Sequence, residues 1–240
     1  MTNKEHRIIP IYLRLKTIQD SPAANFQKEH VMKRLLIAIV LCTCILSYAQ
    51  NAPKVLLFMR NAQTSGDLEY MLKKEVGVMK AILEKSGYKV VIATLDGSSF
   101  SAGSTTVKAD IKLAEAKVAD YAGFILPCLA VPSYPAPPDV STEAIALVKG
   151  AIAAGKPVAA QTGSLWTLVK ADLLKGKTYA YAMAEQSPLF AGATFAGTGV
   201  VKDGLIITSG ICPYMELKAK MKEGTEPLTL ALIAAMKARK

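Results

Sequence analysis

The chain has 240 residues, with 29 basic against 19 acidic side chains, a net charge of +10, four cysteines and two histidines. Its surplus charge is mostly lysine spread along the chain without an arginine cluster, which argues against a nucleic-acid partner. Both histidines, His6 and His30, precede residue 50, so a chain shortened there has no histidine base, no Cys-His pair, no Ser-His-Asp triad and no histidine-ligated metal.

Residues 1–31 are polar and aperiodic and are read as an extension that is non-native or discarded, with Met32 as the simplest start. Met32-Lys-Arg34 is followed by an apolar run from Leu35 to Leu46 and then by Ser47-Tyr-Ala49. A basic start, about a dozen apolar residues and small residues at a cut site predict a secretory signal peptide over 32–49, cleaved after Ala49. The run is short of the roughly 20 residues that a membrane span needs, so no span is expected after cleavage. Export to the periplasm or the extracellular space is the expected localisation. Cleavage would take 7 of the 29 basic and 3 of the 19 acidic residues, leaving 22 against 16 and a net +6. Two cysteines would remain, Cys128 and Cys212, too few for a zinc cluster and enough for one disulfide. No metal and no cofactor are expected.

Lys54-Val-Leu-Leu-Phe-Met59 reads as a buried first strand, and Asp67 as the cap of a helix from Leu68 to Ser86. Leu72, Val76, Met79, Ile82 and Leu83 recur there at helical spacing, and Gly87 closes the helix. Lys89 to Leu95 is the next strand, and the connection is long enough for a parallel pair. Asp96 to Thr106 reads as a loop leading to short strands near Val107 and Ile111, and Leu113 to Val118 as a brief helix. Tyr121 to Pro127 is a third core strand ending in Cys128-Leu-Ala, before a proline-rich loop over Pro132 to Pro138. Ser141 opens a helix to Ala154.

Lys156-Pro-Val-Ala-Ala-Gln-Thr-Gly-Ser-Leu-Trp166 has the pattern of a strand, a tight turn at Thr162 and Gly163, and a helix start. In an open α/β sheet such an elbow lies where ligands bind and where a strained residue can present a nucleophile. The exposed residue of the turn is read as Gln161, whose amide is no nucleophile, and the hydroxyls of Thr162 and Ser164 as helix caps, in preference to a nucleophile that a one-residue slip of the turn would expose. A helix over Leu165–Leu174 follows, then strands over Lys177–Ala182, Ala193–Val201 and Leu205–Thr208, the last two joined by a turn at Asp203-Gly204. Ser209-Gly-Ile-Cys-Pro213 is a second strand-end loop, and helices over Tyr214–Lys222 and Pro227–Ala238 finish the chain. Alternating strands and helices predict a single α/β layer sandwich.

The strand over 54–59, the helix carrying Glu75, the strand ending Ile-Leu-Pro127, Gly155-Lys-Pro-Val-Ala-Ala160 entering the elbow and Lys202-Asp-Gly-Leu-Ile-Ile-Thr-Ser209 together resemble the ThiJ/PfpI superfamily. This is the flavodoxin-like group related to class I glutamine amidotransferases, with deglycase, chaperone and peptidase-like members. The resemblance covers residues 53–238 and implies a flavodoxin-like three-layer sandwich, with a mainly parallel sheet and helices on both faces. It also implies a homodimer, and a site built from an elbow cysteine, a glutamate from the first helix and glycines after the Leu-Pro strand. In this alignment Glu75 matches the glutamate, Gln161 stands at the cysteine's place, and Cys128 and Leu129 stand at the glycines' places.

On that reading Glu75, Gln161 and Thr162 form a degenerate catalytic site, and Cys128, Leu129, Gly163, Cys212 and Pro213 line its pocket. Glu75 is read as a structural carboxyl held by the Gln161 amide, in preference to an acid or base. Cys128 and Cys212 stand either as a disulfide bracing the pocket mouth, as two thiols that bind or sense something, or as buried core residues. The leading function is an exported, catalytically inactive domain binding a small molecule or a protein at the former active-site crevice. The alternative is a hydrolase, deglycase or redox protein of the same fold using Cys128 or Cys212 with Glu75.

Overall fold

The computed structural model describes residue 34 and residues 52–60, 67–129, 139–182 and 190–239. The chain separates into Met1–Ala52 and Pro53–Lys240, and every element named below belongs to the second unit. Apart from Arg34, the expected signal segment lies outside the described residues, as does the proline-rich loop over 132–138. Among the described residues no helix is long and apolar enough to cross a membrane.

Apolar runs bounded by turn residues become parallel strands buried over most of their length. The main ones are β1 (Lys54–Met59), β2 (Lys89–Thr94), β6 (Tyr121–Leu126), β7 (Val158–Gln161) and β11 (Ile206–Ser209). Between β2 and β6 come a hairpin of β3 (Phe100–Ala102) with β4 (Thr105–Val107), and the short β5 (Ile111–Lys112). β8 (Thr178–Tyr179) pairs with β9 (Thr194–Phe195), and β10 (Val200–Asp203) precedes β11. The seven-stranded sheet has the order β10-β11-β7-β6-β1-β2-β5, all parallel except for the antiparallel β10–β11 edge pair.

Alternate side chains of each strand point to opposite faces, and the two faces carry separate cores. One packs Leu56, Phe58, Phe124, Leu126, Val158 and Ala160 against α2 (Thr142–Ala153) and α3 (Leu165–Lys170). The other packs Val55, Leu57, Met59, Ile125, Ala159 and Ile207 against helix α1 and α5 (Thr225–Lys237). Helix α1 begins as Leu68–Met71, passes through a π-helical turn Leu72–Val76 and continues as Gly77–Lys85. The remaining helix, α4 (Pro213–Ala219), has proline at its first turn, where the missing N–H costs nothing. The molecule is thus the expected flavodoxin-like three-layer α/β sandwich.

Several local expectations change. The glycine- and serine-rich stretch after Asp96 holds the β3–β4 hairpin, which Glu69 latches to α1 by accepting from the Ser104 amide at 3.0 Å and hydroxyl at 2.8 Å. Asp67 precedes α1 without a side-chain cap bond and instead lies 3.7 Å from Lys218. The single strand expected over 193–201 is two strands, because β9 turns away to pair with β8. Trp166, Tyr179, Tyr181 and Phe190 pack against one another, with Tyr179 stacked on Phe190 at 4.7 Å. They serve the core. Gly210, just after β11, is required by close approach: a Cβ there would lie 2.6 Å from the Tyr181 carbonyl carbon and 2.8 Å from the Thr198 oxygen.

Candidate functional site

Sheet order decides which loops meet. β11, β7, β6 and β1 are neighbours, so their carboxyl ends deliver Cys212, the elbow, Cys128 with Leu129, and Arg60 to one crevice. The chain runs from β1 to β2 on one side and later lays β6 on the other, so Arg60 and Cys128 flank the point where strand order reverses.

Glu75 enters this crevice from the π-helical turn of α1, and its side chain is fully buried. One carboxyl oxygen accepts the Cys128 N–H at 2.8 Å and the other the Leu129 N–H at 2.9 Å. Leu129 has φ 54, a left-handed conformation that costs a non-glycine residue about 1–2 kcal/mol. The two hydrogen bonds, together with full burial of the leucine side chain, hold the loop in that strained form. Burial first, and the neighbouring Cys128 thiol second, push the Glu75 carboxyl well above the ordinary carboxylate range, against the pull of the two N–H donors and of Arg60.

Arg60 donates from its guanidinium to the Cys128 carbonyl oxygen, while its Nε is buried without a hydrogen-bond partner. Its pKa is lowered by burial, an effect opposed by Cys128, Glu75 and Cys212. Sequence reasoning missed this residue. The available signal was its rarity: Arg60 and Arg239 are the only arginines after residue 50, and Arg60 stands where the first core strand ends.

The elbow corrects one expectation directly. Gln161 is not the exposed residue of the turn: it is the extended last residue of β7, fully buried, with φ −105. Its amide nitrogen donates to the Ile211 carbonyl at 2.8 Å and its amide group pairs with the Thr225 hydroxyl, so it does not hold Glu75. The left-handed residue is Thr162, with φ 38, a conformation that a β-branched side chain rarely adopts. Its Oγ1 is buried and makes no hydrogen bond. Nor do the two hydroxyls cap the helix. Ser164 donates to the Pro127 carbonyl, tying the elbow to the β6 loop, and no side-chain cap bond forms at either position.

Cys128 and Cys212 are thiols, buried together with Met71. The Gly163 N–H donates to Cys128 Sγ at 3.3 Å, and the Cys212 thiol is hydrogen-bonded to Cys128. That bond first, then burial and the charges of Cys128 and Glu75, push the Cys212 thiol far up. Pro213, beside it, is the buried first residue of α4. The crevice therefore brings together Glu75, Cys128, Leu129, Thr162, Gly163 and Cys212 and adds Arg60, while Gln161 faces away toward Thr225. No group is bonded to the Thr162 hydroxyl to take its proton, and the amides of Cys128 and Leu129 already serve Glu75. Among the described residues no set of three His, Cys, Asp or Glu side chains is placed to hold a metal ion.

Solved structures share this fold. A ThiJ/PfpI domain protein from Brachyspira murdochii aligns with a TM-score of 0.57 at 18% identity, over 77% of this chain and 96% of that one. Drosophila melanogaster DJ-1beta aligns with a TM-score of 0.51 at 20% identity, over 77% of this chain and 97% of the other. A two-domain protein from Anabaena variabilis, with DJ-1/ThiJ/PfpI-like and ferritin-like domains, aligns with a TM-score of 0.57 at 20% identity and over 77% of this chain. The chain spans about half of that protein, 48% of its length. Comparison with curated proteins gives no match. The DJ-1/PfpI family model matches residues 64–219, from the approach to α1 through the elbow to the end of α4, and the chain belongs to the DJ-1/PfpI family.

Proposed function

We propose that the chain is an exported DJ-1/PfpI-family domain that performs no nucleophilic chemistry at its elbow and binds a small, polar molecule in the crevice. The observation that carries this reading is a pair of buried polar atoms without hydrogen-bond partners, Thr162 Oγ1 and Arg60 Nε, on residues that flank Cys128. Buried polar groups are nearly always satisfied, so such orphans point to an absent hydrogen-bonding partner. The elbow side chain is a hydroxyl with no base bonded to it, and the hydroxyl of a threonine needs such a base to attack. A protein partner at the crevice, and the homodimer implied by the family, are further expectations.

The test combines turnover with thiol chemistry. Wild-type protein is expected to show no hydrolysis of activated esters and no conversion of small dicarbonyls above buffer. Thr162→Cys is expected to gain a thiol that alkylates faster than Cys128 or Cys212. Wild-type turnover that survives Thr162→Val and disappears in Cys128→Ser would overturn the proposal in favour of an enzyme using Cys128 with Glu75. The specific support for that second reading is the Gly163 N–H on Cys128 Sγ.

A further inference from the structure

The two thiols are not needed for binding at the elbow, yet they are built into its walls. Cys128 lies at the start of the loop after β6 and Cys212 at the end of the loop after β11, on either side of β7, and their side chains share one buried cluster with Met71. Donors converge on one sulfur. Cys128 Sγ accepts the Gly163 N–H at 3.3 Å, is hydrogen-bonded to the Cys212 thiol and is hydrogen-bonded by the Arg60 side chain. A cation, a backbone N–H and a thiol donor around a sulfur favour its thiolate, the form that attacks a disulfide. The second thiol already lies against the first, which is the position of a resolving partner.

We propose that Cys128 and Cys212 form a reversible dithiol–disulfide pair that exchanges with small aliphatic disulfides. Relative exposures of 3% for Cys128 and 1% for Cys212 restrict the partner to a small one and disfavour docking of a folded protein's disulfide. The Cys128 thiolate attacks one sulfur of R–S–S–R, whose S–S bond breaks as a Cys128–S–R bond forms and the first RS⁻ leaves. Cys212, as it gives up its proton, attacks Cys128 Sγ, and the second RS⁻ leaves. The two cysteine protons end on the two leaving thiolates. Two cysteine thiols are thus oxidised to one disulfide, and one external disulfide is reduced to two thiols. The bridge would pass over the elbow and draw Cys128 Sγ away from the Gly163 amide. It shares Arg60 with the proposed binding site but needs neither Thr162 nor a bound ligand, so the two readings can fail separately.

The full chain is equilibrated in a series of oxidised to reduced dithiothreitol ratios, quenched by alkylation and mapped by peptide mass, which separates Cys128 and Cys212 from Cys42 and Cys44. The expected result is joint loss of alkylation at Cys128 and Cys212, a linked peptide pair containing both, and full recovery on reduction. An upward shift of the unfolding temperature should accompany linkage. In Cys128→Ala and Cys212→Ala the remaining partner should stay alkylatable, and Thr162→Val should leave linkage unchanged. Alkylation of both wild-type cysteines at every ratio, or linkage of either to Cys42 or Cys44 instead, would overturn the proposal without touching the binding reading.

Discussion

Replacing Glu75 by glutamine tests whether the crevice is organised around a protonated carboxyl. Both oxygens of Glu75 accept buried backbone N–H groups. Glutamine offers one oxygen and turns an NH₂ toward the other amide, so one donor is stranded at a cost of about 1–3 kcal/mol. This loss should appear in urea unfolding followed by the fluorescence of Trp166, the only tryptophan. The pH dependence is the sharper part. The folded pKa of Glu75 lies above the ordinary 4.5, so the fold prefers the protonated form. That contribution is complete below the ordinary value and drains away as pH rises through the folded one, with a slope of at most about 1.4 kcal/mol per pH unit. Glu75→Gln has no such group. The stability gap between wild type and variant should therefore be widest in mild acid and narrow from pH 4.5 upward. A gap that is constant, or that widens with pH, would mean that Glu75 folds ionised and would refute the reasoning.

Three further outcomes are expected. Leu129→Ala should lose about 2–5 kcal/mol of packing, whereas Leu129→Gly should be at least as stable as the alanine variant, because φ 54 reverses the usual penalty of glycine; paired denaturant melts decide it. Gly210→Ala should destabilise by about 1–3 kcal/mol or more, because its Cβ would strike backbone atoms of Tyr181 and Thr198 that cannot swing aside; thermal melts read the effect. Expression in a secreting bacterial host should yield a mature N-terminus at Gln50 by intact mass, and a retained, uncleaved chain would count against export.

The core was legible in the sequence because burial on both sheet faces leaves uninterrupted apolar strands, as in Val55 to Met59 and Phe124 to Leu126. Glu75 was also found, from its place in the first helix. The elbow was read one residue early for a physical reason. Left-handed backbone is normally announced by glycine or asparagine, and here Thr162 and Leu129 carry it, so the usual mark was missing. Gln161 and Thr162 are adjacent polar residues, and only the long-range bond of Gln161 to Thr225 shows which of them turns inward. Arg60 was missed because its role rests on contact with Cys128, far along the chain. Of the β3–β4 hairpin, β4 falls at the short strand expected near Val107, whereas β3 was read as loop because a short, half-exposed strand lacks an apolar alternation.

The π-helical turn of α1 sets a phase. An α-helix advances about 100° per residue, and the wider turn at Leu72–Val76 offsets Leu68–Met71 from Gly77–Lys85. Glu69 can therefore grip the hairpin and Glu75 the β6 loop while Met79 and Leu83 stay on the sheet. Removing one exposed residue, Lys73 or Lys74, would let the helix run as a regular spiral. Latch and carboxyl could then no longer both be in register, and a change confined to the surface would uncouple the hairpin from the crevice.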